Sequence, residues 1–115
     1  MSTTRTELRT QAAEILGILA EGETLPSYEA QDLTKAYTEV YAVLQAKNLA
    51  PWDIATIPDQ YANAVATLVA EQRVVKYGIP VERFQQVKLA AQEAMATLRE
   101  LQAGTKQAVT RMQNF

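Results

Sequence analysis

The chain has no cysteine and no histidine. Without cysteine there are no disulfides and no thiolate metal sites. Without histidine, the commonest general base and the commonest transition-metal ligand are also missing. A catalyst made from what remains would need paired carboxylates, an activated lysine or a bound cofactor. The four glycines, at 17, 22, 78 and 104, are scattered and form no phosphate-cradling loop. No apolar run reaches the roughly 20 residues of a membrane helix. The opening stretch MSTTRTELRT carries no apolar segment ahead of a cleavage site, so no signal peptide is expected. The expected compartment is the cytoplasm, or whatever a cytoplasmic product assembles into. Net charge is also small: −2 is too weak for the whole surface to grip nucleic acid.

What is present suits one small folded domain. With 115 residues, 48% of them hydrophobic and 21% charged, the chain can bury a single core. The charge is unevenly placed. All 13 acids precede residue 105 together with nine of the 11 bases, a net −4, while the last eleven residues carry Lys106 and Arg111 and no acid. Two readings of that basic end stand side by side: a frayed tail, or an arm that docks on a partner.

Periodicity and punctuation mark four helices. The first, from about Thr4 to Ala20, places Leu8, Ala12, Ile15, Leu16 and Leu19 on one face, with Gly22 as its stop. The second starts at Ser27, a good N-cap, with Glu29 favoured by the helix dipole. Its face is Leu33, Tyr37, Val40, Tyr41 and Leu44. Lys47 sits at its end, Asn48 can take the left-handed cap, and Pro51 forbids continuation. The third runs from Pro58 to Gly78. The fourth runs from Pro80 to about Ala103, just ahead of Gly104. Its seam of Phe84, Val87, Ala91, Ala94, Leu98 and Leu101 steps by 3 and 4, as a coiled-coil edge does. No stretch shows strand alternation longer than a few residues. The expected fold is all-α: an antiparallel bundle of four helices with an extended C-terminal tail. Residues 1–104 form the bundle domain and 105–115 a docking tail.

The third helix is short of polar surface. Gln60, Asn63, Thr67 and Glu71 make one narrow stripe, and nearly everything else from Tyr61 to Val75 is apolar. Either the other three helices wrap it, or part of it packs on another copy of the chain. Trp52 poses the same choice, between a core plug and an interface anchor. Pro51 and Pro58 stiffen its loop. Tyr28, Tyr37, Tyr41, Tyr61 and Tyr77 suit a core rim or an interface equally.

No catalytic constellation is visible. Glu21 and Glu23 fall in a turn, Asp53 and Asp59 flank the Trp loop, and neither pair has the spaced acids and central glycine of a calcium loop. The expectation is no enzyme, no cofactor and no metal. Arg73, Lys76 and Arg83 gather around the Gly78 turn as candidate DNA or interface contacts.

The stretch APWD…TIPDQYANAVATLVAEQRVVKYGIP carries a family resemblance. A Trp-containing loop, an "IP-acid" helix start, an Ala-rich helix and a "YG" stop precede a long final helix. In this the chain resembles bacteriophage head-to-tail adaptor proteins, also called head completion or packaged-DNA stabilisation proteins, most closely the tail accessory factor of P22-like podoviruses. The likeness spans roughly residues 5 to 103. It implies a helical subunit of a virion neck, made in the host cytoplasm. Such subunits add beneath the portal protein in a ring, commonly twelve-fold, and present a platform to the tail or nozzle protein, with non-specific DNA contact in the channel. C-terminal segments in the family reach the portal or a neighbouring subunit, so residues 105–115 would be that arm. The interface candidates are then Trp52, Ile57, Tyr61 and Val69 in the body, with Lys106, Val109, Arg111, Met112 and Phe115 in the tail. Two other classes fit the residues: a stand-alone helical protein-binding module, and a DNA-contacting packaging component.

Overall fold

A computed structural model of the chain describes residues 2–19 and 23–113, those from 103 onward by main chain alone. The architecture is the expected antiparallel bundle: α1 (Arg5–Leu16), α2 (Ser27–Ala46), α3 (Asp59–Gln72) and α4 (Val81–Gln113). Two short strands add a feature that three residues apiece cannot announce in a sequence. They are β1 (Ser2–Thr4) and β2 (Thr56–Pro58), antiparallel, with Thr3 opposite Ile57. Thr3 Oγ1 also donates to Asp59 Oδ1 at 3.1 Å, which fastens the start of α1 to the start of α3.

Two helix ends and the turn after α3 share one device. Gly17, Asn48 and Gly78 all have positive φ, at 80°, 59° and 61°. In each case the next amide reaches back five residues: Ile18 N to Ala13 O, Leu49 N to Leu44 O, and Ile79 N to Val74 O. Ile18, Leu49 and Ile79 then pack on the core, the hydrophobic contact of a Schellman stop. The stop of α1 is therefore Gly17, not Gly22, which lies outside the described residues. At the end of α3, helical bonding ceases at Gln72 rather than at Gly78. Arg73 N and Val74 N bond three residues back, and Gly78 closes the turn that follows.

Gly17 allows a sharp test. A Cβ there would lie 3.0 Å from the Arg83 guanidinium Nε, at a φ that L residues rarely adopt, while a Cβ on Gly78 would meet open space. Gly17→Ala is expected to destabilise by about 1–2 kcal/mol from the backbone alone, with further loss as Arg83 is displaced. Gly78→Ala should show only the backbone share. Denaturant midpoints of the two variants check this.

α4 differs most from expectation. Its main chain stays helical to Gln113, ten residues beyond the Ala103 stop, so the segment expected to be extended is helical as far as that residue. One interior glycine costs a helix only about 1 kcal/mol against alanine. Ala103, Lys106, Gln107, Ala108, Arg111 and Met112 around Gly104 are strong helix formers, and no proline follows.

α3 is the central rod, touching α1, α2 and α4. Its residues from Tyr61 to Ala70 are buried, Asn63 alone excepted. Alanines 62, 66 and 70 let the neighbouring helices approach closely. The 3-4 seam of α4 holds as expected, with Val87, Ala91, Ala94 and Leu98 buried and Phe84 and Leu101 packed at its ends.

Candidate interaction surfaces

The Trp52 loop is held by a chain of aromatic hydrogen bonds. Trp52 is 7% exposed. Its ring stands 4.7 Å from that of Tyr61 and 6.3 Å from that of Tyr41, centroid to centroid. The indole Nε1 donates to Tyr37 Oη at 3.4 Å, and the Tyr37 hydroxyl donates to Ile54 O at 2.9 Å. The Tyr41 hydroxyl donates to Trp52 O at 2.6 Å and accepts from Gln45 Nε2, which also donates to Ala50 O. Two turns of α2, from Tyr37 to Gln45, therefore supply both ring contacts and carbonyl partners to residues 50–54. Burial holds the Tyr37 hydroxyl above its usual pKa, so it stays a donor across the ordinary pH range.

This geometry corrects four expected interface residues. Trp52, Ile57, Tyr61 and Val69 are buried within the chain's own core and offer no face to a partner in this fold. The physical reason is the same for all four: α3 is wrapped by three helices, and the Trp loop folds over the bundle end. The apolar surplus that suggested self-association through α3 is covered within the chain. Of the tail candidates, Lys106, Val109, Arg111 and Met112 sit on the part of α4 described by main chain alone, and Phe115 lies outside the described residues.

The cations at the Gly78 turn are drawn into the fold. Asp32, on α2, accepts from Arg73 Nε at 3.2 Å, Lys76 Nζ at 2.7 Å and the Tyr77 hydroxyl at 2.8 Å. Arg73 also lies 3.6 Å from Glu39, and Lys76 sits 5.4 Å over the Tyr28 ring. Burial alone would raise the Asp32 pKa, but bonds from Lys76 and Tyr77 and the charges of Arg73 and Lys76 outweigh it, leaving it lowered. Tyr77 is pushed upward by burial and by its bond to the Asp32 carboxylate, and Lys76 is raised by the same carboxylate. Arg83 donates to Ile15 O at 2.8 Å and caps α1. The expected cationic cluster is thus two separate structural ties.

The chain matches no family model, no curated protein and no solved structure.

Among the described residues, apart from the exposed Leu89 of α4, apolar surface stays open at two places on the body. One is a furrow of about 300 Å³ between α2 and α4, floored by α3, where Val40, Val43, Leu68 and Met95 meet Lys47 and Glu71 at the rim. Val43 is half exposed there. No sequence periodicity could have found it, since it arises from how far α2 stands from α4. The other is the bundle end at the Gly78 turn, where Tyr28, Val75 and Val81 are exposed. A wider cleft of about 490 Å³ near the strands has Thr3, Glu14, Asp59 and Asn63 among its lining. Among the described residues no cluster of acids is arranged to hold a metal, and no helix is long and apolar enough to cross a membrane.

Proposed function

We propose that this chain is a structural head-to-tail adaptor of a tailed bacteriophage, ring-forming, joining portal to tail and helping to retain packaged DNA. The observation that carries this reading is the disproportion of α4. At 33 residues it is about 50 Å long, close to the 53 Å long axis of the whole molecule, whose other extents are 27 and 24 Å. A rod that outruns its bundle and ends in an acid-free, basic stretch is built to reach something. The rigid Trp loop and the capped helix ends give a body that holds its shape while that rod engages. The resemblance around residues 50–80 supplies the nature of the partners. The action is packing and geometry, with no chemical step.

Deleting residues 105–115 tests it. The helices should stay folded by circular dichroism, and Trp52 emission should not change, while affinity for the portal ring falls at least tenfold, about 1.4 kcal/mol. Unchanged portal binding would leave the stretch without a docking role. The α2–α4 furrow favours a second reading, a helical protein-binding module that takes a partner helix. Arg73, Lys76 and Arg83, the candidate DNA contacts, each hold an ion pair or hydrogen bond within the chain.

A further inference from the structure

The edge of α2 that borders the furrow carries a symmetrical set of side chains. Val43 is half exposed there. Glu39 stands four residues before it and Lys47 four residues after, so the three lie along one edge of the helix. Both charged residues are exposed. Among the described residues Lys47 has no ion-pair partner, and Glu39 has the Arg73 guanidinium alone, at 3.6 Å and beyond hydrogen-bond length. Ala42 and Ala46, on either side of Val43, are exposed as well and too small to hold another helix off.

We propose that this edge of α2 pairs antiparallel with the same edge of a second copy of the chain, about a two-fold axis at Val43. In an antiparallel pair of helices, a residue some steps before the centre faces the residue as many steps after it. With Val43 at the centre, Glu39 faces the partner's Lys47, and Lys47 faces the partner's Glu39. The valines meet on the axis, and Ala46 falls opposite Val40. Charge order selects both the occupant and the direction. A helix from elsewhere would need the reverse sequence of charges around a small apolar residue, and this chain's own α2, turned end for end, already has it. A parallel pair would set glutamate on glutamate and lysine on lysine, which repels at both ends. The contact is small, at the low end of interface sizes, so it forms and parts with concentration. A two-fold pair is isologous and is not the head-to-tail contact that closes a ring. It belongs to the free chain and does not rest on the adaptor reading.

Charge reversal in the full-length chain tests the pairing. Sedimentation of the unaltered chain should show the mass rising with concentration towards twice 12.7 kDa. Glu39→Lys and Lys47→Glu, each alone, place like charges across the axis twice and should weaken association at least tenfold. Mixed in equal amounts, the two variants should associate as the unaltered chain does, because each reversed charge then meets its opposite. Trp52 emission should be the same in all of them. The absence of native cysteine adds a second measurement. On oxidation, Val43→Cys should form a disulfide with its own counterpart at least tenfold faster than Leu89→Cys, at an exposed position on α4 away from this edge. Association undiminished by either single reversal would overturn the antiparallel arrangement. A single-chain mass at every concentration, with Val43→Cys no faster than Leu89→Cys, would overturn the pairing altogether and leave the edge to a helix of another protein. Neither failure alters the portal-binding measurement on the deletion variant, which is read separately.

Discussion

Trp52→Ala is expected to cost about 3–5 kcal/mol, the range for deleting a buried large aromatic side chain, and to lower the thermal midpoint by roughly 10–20 °C for a domain of this size. Three losses combine. The cavity removes packing from Tyr61 and Tyr41, whose rings flank the indole. The Tyr37 hydroxyl loses its indole donor. The side-chain hydrogen bonds that remain from α2 to the loop then run to the carbonyls of Ala50, Trp52 and Ile54. Trp52→Phe separates these contributions, since it keeps a ring in the cavity and removes the N–H. It should lose much less: about 1 kcal/mol for the hydrogen bond plus a smaller packing deficit. Thermal unfolding followed by far-ultraviolet dichroism reads both variants. An interface anchor would behave oppositely, with stability moving by no more than about 0.5 kcal/mol and only partner binding lost. That outcome would contradict the placement of Trp52 as the lid of the core.

The sequence made the helices legible because each buries one stripe, and a stripe is a local pattern. Leu33, Tyr37, Val40 and Leu44 can be found without knowing what they touch, and all four are buried. The helix ends were less legible. Gly17 and Gly22 are both plausible stops in a sequence, and what decides between them is Ile18, the hydrophobic residue that follows and packs inward. The same glycine-or-asparagine then aliphatic pair recurs at Asn48–Leu49 and Gly78–Ile79, so the signal was present. The side-chain ties were not legible. Asp32 meets Arg73, Lys76 and Tyr77 across more than 40 positions of chain, and no spacing rule links them. The poverty of polar residues on α3 was visible, but its meaning depended on how many neighbours surround the rod, which is a property of the whole fold.

Asp32 carries the second large effect, and it depends on pH. One carboxylate, 8% exposed, holds α2 to the turn between α3 and α4 through three donors. Asp32→Asn removes the charge but keeps the shape. The expected loss at neutral pH is about 2 kcal/mol, the scale of a hydrogen bond to a charged group. It falls mainly on Arg73, whose side chain is 14% exposed and is left with Glu39 at 3.6 Å. Lys76, nearly half exposed, recovers its solvation in water and contributes little. Because the Asp32 pKa is lowered in the folded chain, the stability it supplies is complete above the ordinary carboxylate range and is lost as pH falls below about 4. Tyr77 acts with the opposite sign. Its pKa is raised by burial and by the same carboxylate, so its contribution is present below about pH 10 and lost above. Urea midpoints at neutral pH and near pH 3 should therefore converge in Asp32→Asn relative to the unaltered chain, with the difference between the two proteins shrinking as acid is added. If the gap stays constant from pH 7 to pH 3, the carboxylate charge does not hold the turn.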